Sequence, residues 1–169
     1  IGRTFLAFAQ KAGVKCMTIS RSEFWINEIF EDAIRQCGSV VNCAGFAGSP
    51  NVDQCELPEK REEVYKANVE IPQRLAQFCK DIPLLHVSSG CIYQGIRNSG
   101  ELREGTDYRH SLSMLTRESW KETDEPNFEG SVYAKSKILG EKELEGLDLA
   151  WIFRPRMFYS IYPSNKNFI

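Results

Sequence analysis

Two short segments carry side chains that could move protons at a carbonyl group. Tyr133 and Lys137 are four residues apart, and residues at this spacing lie on one face of a helix. An ammonium group one turn from a phenol lowers the pKa of the phenol, which predicts an acid/base pair. Ser88 and Ser89 follow the apolar run 84–87, so a hydroxyl at a strand end would complete a Ser-Tyr-Lys set. The register favours Ser89 over Ser88 for this role.

Apolar runs alternate along the chain with stretches of helical spacing, and this alternation predicts the elements that position the reactive groups. It predicts an α/β fold with a doubly wound parallel sheet of the Rossmann type, which binds ligands at the carboxyl ends of its strands. The predicted strands are residues 14–19, 40–44, 84–87 and 149–153, and the predicted helices are residues 5–12, 24–37, 59–80 and 133–144.

The whole chain, residues 1–169, is predicted to be one NAD(P)-binding domain. Residues 94–129 lack sustained periodicity and are predicted to form a surface excursion or lid within it. The chain begins directly with a helical pattern and stops soon after the fourth apolar run. We therefore expect it to lack the first strand of such a domain and a C-terminal substrate subdomain.

Composition narrows the class of protein. The 169 residues are 42% hydrophobic and carry a net charge of -2, which gives no basic field for nucleic acid. No apolar run approaches the length of about 18 residues needed for a membrane span. The six cysteines form no Cys-x-x-Cys pair, which favours reduced thiols in a cytoplasmic protein, and no metal site is predicted.

Residues near the start of the chain suggest where a dinucleotide would bind. Gly2 precedes the first helix, where it would let the helix N-terminus face a pyrophosphate. After the run 14–19 an NAD-preferring domain usually has an acidic residue, but this chain has Ser20 and Arg21. These two side chains suit a 2′-phosphate, so the sequence favours NADPH, with NADH as the alternative.

Several motifs together resemble the extended short-chain dehydrogenase/reductase superfamily. Within it, the chain is most similar to bifunctional nucleotide-sugar 3,5-epimerase/4-keto-reductases of UDP-L-rhamnose synthesis, and less so to GDP-fucose synthase and dTDP-4-dehydrorhamnose reductase. The motifs are Val-Asn-Cys-Ala-Gly at 41–45, Pro-Asn-Val-Asp-Gln-Cys-Glu at 50–56, Ser-Gly-Cys-Ile-Tyr at 89–93, Glu-Thr-Asp-Glu-Pro-Asn-Phe at 122–128, Tyr-Ala-Lys-Ser-Lys at 133–137, Arg-Pro-Arg-Met at 154–157 and Ser-Asn-Lys-Asn-Phe-Ile at 164–169.

The resemblance implies a role for each reactive side chain. Tyr133 would be the general acid that protonates the sugar C4 oxygen, and Ser89 would hydrogen-bond that oxygen. Lys137 would hold the ribose hydroxyls of the nicotinamide nucleotide. Cys91 would act as acid/base in epimerisation, a reaction that suits a thiol because protons beside a ketone are acidic. A buried structural cysteine is the alternative interpretation of Cys91.

The resemblance also implies binding residues. Asn42, Ala44 and Gly45 would form a wall against the cofactor, where small groups allow close approach. Asn68, on a helix that Pro72 should kink, would help fix the geometry of the active site. The substrate would contact Asn51, Asp53, Arg154, Arg156 and Asn167, although turn or salt-bridge roles are open for the loop residues and the arginines.

The expected activity is NADPH-dependent epimerisation and reduction of a nucleotide-4-keto-6-deoxyhexose by a homodimer, with UDP-4-keto-6-deoxyglucose as the expected substrate. A nucleotide-sugar 4-epimerase or 4,6-dehydratase is one alternative. A dehydratase is disfavoured because Gly90 and Cys91 stand where such enzymes have an Asp-Glu pair. A non-catalytic NADP-binding regulatory subunit is the alternative from another class.

Overall fold

A three-stranded parallel sheet organises the chain in the computed structural model, which describes residues 1–95 and 120–156. The strands are β1 (Val40–Asn42), β2 (Leu84–Val87) and β3 (Ala150–Phe153), in the order β1-β2-β3. Asn42 pairs with His86 in the first ladder, and Val87 pairs with Phe153 in the second. All three strands therefore end at the same edge of the sheet.

Helices connect these strands, as the periodicity predicts. They are α1 (Gly2–Lys11), α2 (Asn27–Gln36), α3 (Arg61–Tyr65), α4 (Ile71–Phe78) and α5 (Val132–Lys142), and a π-helical segment, Lys66–Glu70, joins α3 to α4. The parallel α/β architecture of the Rossmann type is thus confirmed. Of the predicted excursion 94–129, residues 96–119 lie outside the described residues.

The predicted strand at residues 14–19 does not form in the described part of the chain. This segment has no ladder hydrogen bonds, and both Val14 and Met17 are more than half exposed. β1 pairs with β2 along one edge, and no described strand runs along its other edge. An apolar run forms a strand only when a neighbouring strand hydrogen-bonds to its backbone. The prediction of a strand at residues 14–19 was therefore wrong.

The main hydrophobic core lies between β2 and the helices α2 and α4. Leu84 and Phe30 are fully buried there, and the end of α5 contributes Leu144. Phe30 makes edge-to-face contacts with Phe24 and Phe78, at centroid distances of 4.7 and 5.2 Å. Truncating such a buried ring costs about 3–5 kcal/mol, so this core is what fixes α4 against the sheet.

The wide π turn before Pro72 shapes the contact between two helices. Proline has no N–H, so Asn68 cannot receive the usual helical hydrogen bond from position 72. The chain remains helical from α3 through α4, with the π segment taking the place of the sharp kink that the sequence suggests. Gly140 of α5 packs directly against this segment, and a β-carbon at position 140 would overlap the carbonyl oxygen of Asn68.

Candidate active site

Two adjacent serines at the end of β2 face different partners. The Ser89 hydroxyl accepts a hydrogen bond from the Cys91 backbone N–H at 3.1 Å and lies close enough to the Tyr133 phenol to influence its pKa. The Ser88 hydroxyl instead donates to the carboxylate of Glu141. Ser89 is therefore the hydroxyl that shares a site with Tyr133.

Tyr133 lies in the first turn of α5. The helix begins there because the Ser131 side chain accepts a hydrogen bond from the Ala134 N–H at 3.0 Å, and Glu56 accepts one from the Val132 N–H at 2.7 Å. Burial raises the pKa of Tyr133, and the hydrogen bond from Ser89 opposes this shift. The prediction that a neighbouring ammonium lowers this pKa was wrong, because burial dominates and the phenol stays protonated at neutral pH.

Lys137 lies one turn further along α5 and is only 4% exposed. Its Nζ donates to the carbonyl oxygen of Val87 at 3.1 Å. Burial lowers the pKa of Lys137 to about 8, while the negative charge of Glu141 acts in the opposite direction. The amine is therefore held at the carboxyl end of β2, close to its point of titration at neutral pH.

Asn68 ties the loop after β1 to α5. Its Oδ1 accepts from the Phe46 N–H at 2.8 Å, and its Nδ2 donates to the Phe46 carbonyl and to the Ser136 hydroxyl, each at 2.9 Å. A β-carbon at position 45 would lie 3.1 Å from Asn68 Oδ1 and 3.5 Å from Lys137 Nζ. Gly45 thus leaves space beside the amine that any larger residue would fill.

Asn42, at the end of β1, forms a buried pair with His86. Asn42 Oδ1 accepts from the Ala44 N–H at 3.0 Å, so its amide group faces His86 Nδ1 at 2.9 Å as the donor. This places the ring proton on Nε2, which has no hydrogen-bond partner among the described residues. Burial lowers the pKa of His86 to about 3, with a further contribution from the charge of Lys137, so the ring is neutral.

A cleft of about 350 Å³ opens beside the carboxyl end of β1. Residues 45–49, Gln54, Lys60 and Glu63 line it. Glu63 pairs with Lys60 at 3.3 Å and with Arg21 at 3.2 Å, which brings Arg21 to the rim of the cleft. The guanidinium of Arg21 is exposed, so it is free to release Glu63 and bind an anionic ligand at the rim of the cleft.

The other predicted cofactor residues near the N-terminus have local partners. The Ser20 hydroxyl lies 3.1 Å from the Ser22 hydroxyl and accepts a hydrogen bond from the Glu23 N–H. Gly2 is the first residue of α1, and a β-carbon there would lie 3.3 Å from Cys43 Cβ. The glycine therefore allows α1 to approach the chain just beyond β1, where Ala44 is exposed.

Cys91 is exposed, unlike the two fully buried thiols Cys55 and Cys79. It occupies the short turn Gly90–Ile92, directly after Ser89. The Cys91 thiol is close enough for its charge to raise the pKa of Tyr133. The structure thus places this thiol beside the Ser89 and Tyr133 pair and open to solvent.

The predicted substrate residues fall into different environments. Asn51 and Asp53 are exposed and hydrogen-bond each other at 2.9 Å, as loop residues do. Arg156 is exposed, and its backbone packs against Gly90, beside Cys91. Asn167 lies outside the described residues.

Arg154 is held by contacts within the protein. Its guanidinium contacts Glu141 twice, at 2.7 and 3.0 Å, and donates to the Tyr93 hydroxyl at 2.7 Å and the Glu122 carbonyl at 3.0 Å. The predicted contact with a substrate diphosphate would require it to leave these partners. The salt-bridge alternative for Arg154 is the one that the structure shows.

One buried polar group of the site, Glu141, was not predicted from the sequence. Glu141 stands four residues after Lys137, so the same helical spacing that pairs Tyr133 with Lys137 could have identified it. The contact between His86 and Asn42 could not be predicted, because it depends on the register that places these two residues opposite each other.

These elements define a class of protein, a Rossmann-like nucleotide-binding fold with a Ser-Tyr-Lys group at the carboxyl edge of its parallel sheet. The family model described as RmlD substrate binding domain matches residues 1–169, so the chain belongs to that family. The resemblance to dTDP-4-dehydrorhamnose reductase-type proteins is therefore confirmed.

Two curated relatives from Arabidopsis thaliana are similar to the chain. A bifunctional dTDP-4-dehydrorhamnose 3,5-epimerase/dTDP-4-dehydrorhamnose reductase is 34% identical over 133 residues, which are 77% of this chain and 39% of the relative. A trifunctional UDP-glucose 4,6-dehydratase/UDP-4-keto-6-deoxy-D-glucose 3,5-epimerase/UDP-4-keto-L-rhamnose-reductase is also 34% identical, with 77% of this chain and 18% of the relative covered. The chain thus spans well under half the length of both relatives.

Solved structures show the same fold. The UDP-rhamnose synthase of Acanthamoeba polyphaga mimivirus matches with a TM-score of 0.78 and 23% identity, over 98% of this chain and 55% of that one. A dTDP-4-dehydrorhamnose reductase from Clostridium acetobutylicum matches with a TM-score of 0.69 and 22% identity, over 97% and 52% of the two chains.

Among residues 1–95 and 120–156, no group of His, Cys, Asp and Glu side chains could hold a metal ion. Within the same ranges, none of the helices combines the length and the apolar character that crossing a membrane requires.

Proposed function

We propose that the protein carrying this chain is an NADPH-dependent reductase of a nucleotide-4-keto-6-deoxyhexose. The observation that carries the proposal is that the Ser89 hydroxyl lies beside the Tyr133 phenol, one helical turn from the buried amine of Lys137. Membership of the RmlD family and the 34% identity to reductases of 4-keto sugars support the substrate class.

The protonation states favour the reductive direction. Reduction of a ketone leaves a negative charge on its oxygen, which needs a proton donor at that atom. A tyrosine phenol is protonated at neutral pH, and burial, which raises the pKa of Tyr133, favours this state further. Ser89, turned towards the same phenol, is in a position to donate a hydrogen bond to the same carbonyl oxygen.

The described residues fit a nicotinamide dinucleotide, which when bound supplies the hydride. Lys137 would hold ribose hydroxyls, since its amine faces the space that Gly45 leaves open. Asn42, Ala44 and Asn68 would form the adjoining wall, and Gly2 would open the N-terminus of α1 to phosphate. Arg21, with Ser20, would take a 2′-phosphate in place of Glu63, which is the basis for NADPH over NADH.

Epimerisation is the finer part of the proposal. Cys91 is exposed beside Ser89 and Tyr133, so its thiol would face the carbons that flank the reacting ketone. Inversion requires that a proton leave one face of each carbon and return on the other, so the Cys91 thiol would serve one face and a second acid/base group the opposite face. The same proposal includes UDP as the nucleotide, a homodimer, and substrate contacts from Asn51, Asp53, Arg156 and Asn167, all of which derive from the resemblance. It also includes a cytoplasmic location, which derives from the cysteine usage.

Turnover of defined sugar nucleotides tests this proposal. The protein is incubated with NADPH and either UDP-4-keto-6-deoxyglucose or its dTDP analogue, NADPH loss is followed, and the sugar is identified by NMR. The expected product is a rhamnose nucleotide. NADPH binding without consumption on either substrate would overturn the proposal and favour the regulatory subunit.

Two cysteine variants distinguish the reduction step from the epimerisation step. Cys91→Ser should block inversion of the carbons beside the ketone, whereas Cys16→Ser should not, because Cys16 lies near the surface in the segment after α1. Full inversion by the Cys91→Ser protein would remove Cys91 from the mechanism and leave a plain ketoreductase.

A further inference from the structure

A buried carboxylate continues the line of reactive groups along α5. Glu141 follows Lys137 by four residues, as Lys137 follows Tyr133, so the three side chains lie along one face of the helix. Glu141 is only 4% exposed. A buried carboxylate is costly unless other groups satisfy both of its oxygens, so its partners indicate its role.

Glu141 joins α5 to the ends of two strands. One of its carboxylate oxygens accepts from the Ser88 hydroxyl, directly beyond β2. Its other oxygen accepts two hydrogen bonds from Arg154, directly beyond β3, at 2.7 and 3.0 Å. The two strand ends are themselves linked, because the Ser88 N–H donates to the Phe153 carbonyl at 2.8 Å. Both oxygens of the carboxylate are thus satisfied by the edge of the sheet that carries the site.

This arrangement fixes the site from two sides. Ser88 donates a hydrogen bond to Glu141, and its neighbour Ser89 lies beside Tyr133, so two successive residues after β2 meet side chains of α5 that are two turns apart. Between them, Lys137 donates to the carbonyl of Val87. Any rotation or sliding of α5 would have to break the Glu141 contacts before it could move the Tyr133 phenol away from Ser89.

We propose that Glu141 is a positioning residue, which sets α5 against the ends of β2 and β3 and provides the negative charge that balances Lys137. The inference rests on the proposed function, because it concerns the same Ser89, Tyr133 and Lys137 site. Glu141 does not touch the reacting atoms; it acts through Lys137 and through the placement of Tyr133.

Few charges surround Lys137 in the described residues. His86 on β2 lies close enough to interact electrostatically with Lys137 and is neutral, and Glu141 on α5 is the negative group that stabilises the ammonium form. The π segment contributes the uncharged Asn68, and the positive charge of Arg154 is held by Glu141. Removing the charge of Glu141 should therefore lower the pKa of Lys137 further below its present value of about 8.

Two substitutions separate charge from position. Glu141→Gln keeps the shape and removes the charge, so we expect kcat to fall roughly 10-fold or more and the Lys137 titration to move to lower pH. Glu141→Asp keeps the charge but draws it back by one methylene, so kcat should fall while the Lys137 titration moves less. Glu145→Gln, the same chemical change at an exposed position, should alter neither quantity.

The experiment measures kcat against pH and follows the Lys137 titration by NMR of protein labelled with ¹³C-lysine. Loss of kcat in proportion to the unfolded fraction, with the Lys137 titration unmoved in Glu141→Gln, would overturn the inference and leave Glu141 a structural residue only. A wild-type protein that does not consume NADPH would refute the proposed function instead. The NMR titration would still show whether Glu141 balances Lys137.

Discussion

Helices α1 and α5 are nearly equal in length but are used differently. None of the ten residues of α1 is buried, and Phe8 is 61% exposed. Six of the eleven residues of α5 are buried, including the polar side chains Ser136, Lys137 and Glu141. The comparison shows that the described residues concentrate their buried polar interactions around α5, where the chemistry is predicted, and leave α1 with little packing of its own.

The two helices also differ in how their side chains contribute to stability. Apolar residues on α1 stabilise the protein only if something removes them from water, and in the described residues little does. Polar residues on α5 are tolerated because each has a named partner, such as Val87 for Lys137 and Ser88 for Glu141. Changes on α5 should therefore cost much more than changes on α1.

The largest loss of folding stability is expected from Gly140→Ala. The new β-carbon would overlap the carbonyl oxygen of Asn68, and neither backbone can yield easily because α5 and the π segment are both packed. Overpacking usually costs about 1–3 kcal/mol, and a clash with backbone should place this variant at the upper end of that range. Gly38→Ala is the matched control, since nothing lies within 4 Å of a β-carbon there. Urea denaturation of both variants measures the difference, and equal stability of the two would contradict the close contact.

An intermediate loss of stability is expected at acidic pH because of His86. Its pKa is about 3 in the folded chain and near 6.5 when unfolded, so only the unfolded state binds a proton between these values. Stability should be fully retained above pH 6.5 and fall as the pH drops, by about 2 kcal/mol at pH 5. In His86→Gln this part of the acid sensitivity should disappear. The same loss between pH 7 and pH 5 in both proteins would show that another group titrates.

The smallest effect is expected on α1. Phe8→Ser replaces an exposed ring, so the free energy of unfolding should change by no more than about 0.5 kcal/mol. Thermal unfolding compared with wild type measures this. A loss as large as that of Gly140→Ala would show that α1 is packed as firmly as α5, and the contrast between the helices would fail.

The sequence was sufficient for the order of most elements and for placing Tyr133 and Lys137 one turn apart on the same helix, because both depend on local periodicity. It was not sufficient to predict the conformation of residues 14–19. Their apolar pattern is that of a strand, but no described strand pairs with them. It also could not give the direction of the Tyr133 pKa shift. That direction depends on burial, which is set by residues distant in the chain.

Contacts between strand ends were equally hard to foresee. The sequence left Arg154 open between a substrate contact and a salt bridge, and only the fold, which brings it to Glu141 and Tyr93, distinguishes the two. The pair formed by Asn42 and His86 depends on a register of parallel strands that no local pattern encodes. Residues with obvious chemistry were found, whereas the polar groups that support them emerged only from the three-dimensional arrangement.

The central claim is that Tyr133 donates the proton in a reduction at this site, and Tyr133→Phe tests it most directly. With a 4-keto-6-deoxyhexose nucleotide as substrate, kcat should fall by about 10²-fold or more while the Kd for NADPH stays near the wild-type value. Tyr65→Phe, at a tyrosine that is 50% exposed, should leave kcat unchanged. Turnover by Tyr133→Phe at the wild-type rate would contradict the account.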